Sequence, residues 1–122
     1  MHEQRGRQHH MERLSEALRE EIATIIEGEL EDPRIGLATV SEVQLAPDGR
    51  SAQVFVAVSG NEDEGQRTLE GLDAARNYVR REIADRLRLR AAPELHFRLD
   101  KSEQYEARID ELLKRIRAKK KI

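Results

Sequence analysis

Residues 69–99 read LEGLDAARNYVRREIADRLRLRAAPELHFRL, and the change of rhythm inside this stretch decides the fold. In its first part Leu69, Leu72, Val79, Ile83 and Leu87 fall on one stripe at about 100° per residue, the pattern of a helix with one buried face. Pro93 stops the helical region. Beyond it Leu95, Phe97 and Leu99 alternate with Glu94, His96, Arg98 and Asp100, which is a half-buried strand. One residue disturbs the helical stripe: Arg76 lies four after Leu72 and three before Val79, so a straight helix points it into the apolar face. Either the helix breaks there or Arg76 snorkels out along its stem. The preferred reading is a kink at Ala75-Arg76-Asn77, because asparagine enters the left-handed region at modest cost.

Upstream, Ala52, Val54, Val56 and Val58 alternate with Gln53, Phe55 and Ala57, giving a second strand with one apolar and one mixed face. Pro47-Asp48-Gly49 is a turn, with proline presetting φ and glycine tolerating positive φ, and it joins this strand to a first one of mixed period over 37–46. Between the second strand and the helix, Gly60 to Gly65 reads as a solvated acidic loop. Asn61-Glu62-Asp63-Glu64 lacks the alternating ligands and distant glutamate of a calcium loop. Before the strands, Leu14, Leu18, Ile22, Ile25 and Ile26 mark a helix from Met11 to Leu30, acidic on its outer face through Glu16, Glu20, Glu27 and Glu31 and ended by Asp32-Pro33. At the far end Ser102 caps a last helix carrying Tyr105, Ile109, Leu112, Leu113 and Ile116, followed by Lys119-Lys120-Lys121. Three strands with one apolar face each, plus amphipathic helices, call for an α+β sandwich of two layers with the helices on one side of a three-stranded sheet.

A chain of 122 residues suits one domain. It has no cysteine, which excludes a disulfide framework, a thiolate metal site and a cysteine nucleophile. The polar, histidine-rich start and the lack of any long apolar run point to a cytoplasmic protein without a membrane partner. The net charge of −2 conceals a division at Ala75: residues 1–75 carry −9 and residues 76–122 carry +7. Such an asymmetry orients an encounter with a polyanion, although charge alone fits a salt-tolerant surface equally well.

Periodicity leaves the topology open, but three blocks narrow it. Asp32-Pro33-Arg34-Ile35-Gly36, Val43-Gln44-Leu45 through Ala52-Gln53-Val54, and Leu89-Arg90-Ala91-Ala92-Pro93-Glu94-Leu95-His96-Phe97 together resemble the bacterial ribosome-binding factor A family over residues 11–113. The resemblance implies a KH-like type II domain of order α-β-β-α-kink-α-β-α. Its boundaries are 11–117, with a flexible segment 1–10 before it and a basic tail 118–122 after it. It further implies a non-catalytic factor, without cofactor or metal, that binds the immature small (30S) ribosomal subunit and its 16S rRNA and assists late maturation and rRNA processing, especially in the cold. Small-subunit ribosomal proteins and an assembly GTPase are further implied partners, and a monomer is expected. In this family an Ala-x-Gly kink stands where ordinary KH domains have a glycine-rich phosphate loop; here that position is Ala75-Arg76-Asn77, with asparagine in place of glycine.

Around it cluster Arg76, Arg80, Arg81, Arg86, Arg88 and Arg90, whose guanidinium groups bridge phosphate oxygens well. With Val79, Ile83 and Leu87 buried, they cannot all reach one phosphate. The expected RNA-binding residues are Arg76, Asn77, Arg80 and Arg81, then Arg88 and Arg90, with Arg34 as a further candidate. The bland alternative is a solvated helix face in which Arg81 pairs with Asp85 and Arg34 merely orients a turn. Only four aromatics are present, so base readout on a stacking sheet of the RRM kind lacks its platform, and recognition should rest on phosphates, sugars and RNA shape. His2, His9 and His10 lie in a stretch without apolar anchors, a poor metal cage, and His96 reads as a surface histidine.

Two other classes compete. A nuclease would need paired histidines, a nucleophile elbow or a phosphate-binding glycine loop, and none is present. A protein-interaction module working through the acidic first helix predicts that charge reversal at Glu16, Glu20 and Glu27 matters more than reversal at Arg76, Arg80 and Arg81. RNA binding predicts the opposite ranking.

Overall fold

The structure, a computed structural model, describes residues 2–101 and 113–118, with side chains from Gly6 onward. It contains α1 (His2–Gly28), β1 (Ala38–Leu45), β2 (Ser51–Val58), α2 (Glu62–Arg86) and β3 (Glu94–Leu99), and residues 113–118 are helical. The strands form one sheet in the order β1-β2-β3. β1 and β2 are an antiparallel hairpin, whereas β3 lies parallel to β2, a pairing that requires a long crossover, here supplied by α2.

Both helices cover the same face of the sheet. Leu18, Ile22, Ile25 and Ile26 of α1 and Leu72, Val79 and Ile83 of α2 close over Val40, Val43, Ala52, Val54, Val56, Leu95 and Phe97 in one buried core. The mixed period of β1 has a local cause. The register with β2 shifts between Val40 and Glu42, so Ser41 is an extra residue, and Val40 and Val43, three apart, both face inward. The hairpin turn is built as its residues dictate: Gly49 has φ +72°, its N–H donates to the Ala46 carbonyl at 2.8 Å, and the Asp48 carboxylate accepts from the Arg50 N–H at 3.0 Å.

Several expectations need correction. The first helix starts at His2, so residues 2–10, expected as a separate segment, continue α1; Gly6 to His10 are exposed and bury no apolar face that periodicity could register. The helix also ends earlier, at Gly28, where the Ile25 carbonyl accepts from both Glu29 and Leu30 and the last turn opens. The expected loop 60–65 is largely the first turn of α2. The Asn61 side chain accepts from the Glu64 N–H at 2.9 Å, and Glu62, Asp63 and Glu64 sit where the helix dipole favours negative charge.

The largest correction concerns Ala75-Arg76-Asn77. α2 runs unbroken through these residues, and Asn77 keeps a helical backbone. Arg76 is accommodated by snorkelling instead: its stem lies along the helix, its terminal nitrogen donates to Asp73 one turn back at 2.9 Å, and its Nε is shielded without an acceptor. The left-handed residue is Arg88, with φ +53°, just beyond the helix. Of the expected last helix, Ser102, Tyr105, Ile109 and Leu112 lie outside the described residues, as does the lysine tail 119–121, while Leu113 and Ile116 are exposed.

Candidate nucleic-acid interface

The arginines of the basic half divide by what already holds them. Arg80 leans toward β3, and its guanidinium donates to the carbonyls of Pro93 at 3.1 Å and Ala92 at 3.0 Å. Two acceptors at the entrance to β3 thereby find a partner within the fold, so Arg80 supports the loop through Nε and one terminal nitrogen. Arg86 lies on the opposite flank of α2 and reaches Glu29 at 2.6 Å, Glu82 at 3.2 Å and Glu21 at 3.7 Å, tying the end of α2 to α1. These carboxylates hold its guanidinium charge even more firmly than usual. Arg76 is engaged by Asp73.

Arg34 is held in the loop between α1 and β1. Asp32 forks its guanidinium at 2.7 and 3.1 Å and also accepts its backbone N–H at 2.9 Å. These bonds to the charged form bring the Asp32 carboxyl down to about 2 from an ordinary 3.8. Beneath this turn, fully buried Thr68 of α2 accepts from the Gly36 N–H at 3.3 Å and donates to the Glu64 carbonyl at 2.9 Å. Gly71 permits the close approach, since a Cβ there would stand 2.7 Å from Ile35.

Arg81, Arg88 and Arg90 remain. All three are exposed, and none has a side-chain hydrogen bond or ion pair among the described residues; Asp85, the partner open to Arg81, does not take it. Asn77 is also exposed on the outer face of α2, one turn before Arg81. Leu89 N–H bonds back to the Ala84 carbonyl at 2.8 Å, closing the helix end, and the left-handed Arg88 within that closure turns its side chain to solvent.

Among the cations without a side-chain partner within the described residues, Arg50 and Arg98 lie near this surface and escaped the reading of the sequence. Arg50 follows the hairpin turn, and its carbonyl accepts from the Glu94 N–H at 2.8 Å, which places it beside the segment that Arg80 braces. Arg98 is exposed on the uncovered face of the sheet, in register with Phe55. Neither position has a one-dimensional signature, because the parallel pairing of β2 with β3 brings them there. Among the described residues no cluster of three or more His, Asp or Glu is placed to hold a metal, and no helix is long and apolar enough to cross a membrane.

A three-stranded mixed sheet covered on one face by helices, with unpaired arginines along and just past the second, defines a small α+β domain of the KH-like type II class. The model of the family named Ribosome-binding factor A matches residues 10–113. Ribosome-binding factor A of Koribacter versatilis (strain Ellin345) is 62% identical over 119 residues, covering 98% of this chain and 97% of that protein. The crystal structure of ribosome-binding factor A from Thermus thermophilus superposes with a TM-score of 0.68 at 32% identity, covering 75% of this chain and 97% of that one. A Thermus thermophilus homology model fitted into the cryo-EM map of a 30S–RbfA complex gives 0.61 at 32% identity, covering 73% and 93%. The chain belongs to the ribosome-binding factor A family.

Proposed function

We propose that this chain is an assembly factor of the small ribosomal subunit. In this reading it binds the immature 30S subunit through 16S rRNA, assists late maturation and rRNA processing, with most effect in the cold, and acts in the cytoplasm as a monomer without catalysing a reaction. Small-subunit ribosomal proteins and an assembly GTPase are its further partners. The observation that carries the reading is the set of exposed, unpaired guanidinium groups at Arg81, Arg88 and Arg90, beside neighbours consumed by internal contacts. A relative seen in a 30S complex supports it. Arg34 and Arg76, each forked or held by a single carboxylate, join the surface by exchanging that partner for a phosphate, and Asn77 adds an uncharged donor.

The test is co-sedimentation with isolated immature subunits over a salt series. Replacing Arg81, Arg88 and Arg90 by alanine should weaken binding and flatten the salt slope by about one for each phosphate no longer neutralised. Arg80 is left intact, because its removal would strand two carbonyls and confound binding with folding. Binding by the triple variant with wild-type affinity and slope would place the RNA elsewhere, and a wild type that binds no subunits would defeat the assignment.

A further inference from the structure

Tyr78 is the aromatic side chain of α2, and it is 40% exposed on the shoulder of the helix that faces away from the sheet. Its helical neighbours leave the ring accessible. Long side chains in a helix lean back toward the N-terminus, which carries the ring over Ala74 and Ala75, too small to cover it. Arg81, one turn on, leans the same way, toward Tyr78, and no carboxylate among the described residues holds its guanidinium. An open aromatic face and an unpaired planar cation at i and i+3 thus sit side by side. A base offers a π-face to the first, and the phosphate of the same nucleotide offers paired acceptors to the second. A base inside a duplex has both faces occupied, so the pair suits a nucleotide that is not stacked in a helix.

We propose that Tyr78 and Arg81 form a seat for one unpaired ribonucleotide, its base stacked on the ring and its phosphate held by the guanidinium. This deepens the RNA-binding reading of the chain and rests on it. Recognition remains backbone-led, but one base contributes directly, and the surface acquires a preference for RNA with an extruded or single-stranded nucleotide over a regular duplex.

The chain contains two tyrosines and no tryptophan, so in the full-length Tyr105→Phe protein the emission reports Tyr78 alone. A short single-stranded oligoadenylate should quench that emission, and a blunt RNA duplex of equal length should not. Tyr78→Phe should bind the oligonucleotide like wild type. Tyr78→Leu, which keeps apolar cover over Ala74 and Ala75 and should unfold at an unchanged midpoint, should bind at least about five-fold more weakly, the effect expected when one base stack is removed. Arg81→Gln should also weaken binding and reduce the salt slope by about one. Unchanged emission at saturating oligonucleotide, or wild-type affinity in Tyr78→Leu, overturns the seat. If wild type binds subunits while either result holds, the seat alone fails; if it binds no subunits, the broader reading fails with it.

Discussion

Arg88 occupies a backbone conformation that an L-residue adopts at a cost of roughly 1 kcal/mol, at the position past a helix where glycine is the usual choice. The cost brings no internal contact, since the side chain has no partner among the described residues. Its return is the placement of a guanidinium at the exposed corner between α2 and β3. Arg88→Gly should therefore act in opposite directions on two measurements: urea unfolding should show a gain of up to about 1 kcal/mol, and subunit binding should weaken. A variant that lost stability would contradict the strain argument. One that gained stability and bound undiminished would remove Arg88 from the interface. The sequence named Arg88 as a candidate from its charge together with the family resemblance. It could not show the conformation, because the closing bond from Leu89 to Ala84 and the left-handed turn depend on how α2 ends, and arginine carries no sign of either.

At the scale of elements, the loop 29–37 and α2 form one unit. Asp32 orients Arg34, Thr68 bonds to the loop backbone, and Gly71 lets Ile35 approach the helix. Alanine is the better helix former by about 1 kcal/mol, so propensity alone predicts that Gly71→Ala stabilises. Packing predicts the reverse, because the added Cβ would meet Ile35 at 2.7 Å and Arg34 at 3.3 Å. The expected outcome is a net loss of about 1–3 kcal/mol in denaturant unfolding, the usual result of overfilling a close contact. A second readout is the Asp32 carboxyl. It should rise from about 2 toward 3.8 in an NMR titration as the loop shifts and the fork to Arg34 loosens. Element types and order were legible because apolar period changes cleanly between Leu87 and Leu95, but the continuity of α2 was not. Arg76 in an apolar stripe looks the same in sequence whether the helix breaks or the side chain escapes, and the bond to Asp73 that resolves it is a detail of side-chain placement. The candidate site was legible as a set of arginines. Its division into supporting Arg80, tethered Arg86 and unpaired Arg81 was not, since Glu29 and the Pro93 carbonyl are distant in sequence from the residues they engage.

Across the whole molecule, the core lies under the middle and end of α1, while the beginning of that helix extends past it. Among the described side chains, Met11 and Leu14 are the first that are partly buried, and Met11 sits beside the hairpin turn near Gly49. Removal of residues 1–7 should therefore change unfolding free energy by no more than about 0.5 kcal/mol. A larger loss would mean that the first turns of α1 carry packing. The sheet is likewise unequal along its borders. β2 is paired on both sides, and among the described residues β1 and β3 each leave one border open. The extra residue at Ser41, which lets two valines three apart both face inward, bears on the first of these borders as well. By locally twisting the strand and interrupting its even row of donors and acceptors, it makes β1 a poor template for a strand from another copy of the chain. The irregularity that sets the register thus also opposes self-aggregation along that border at high concentration.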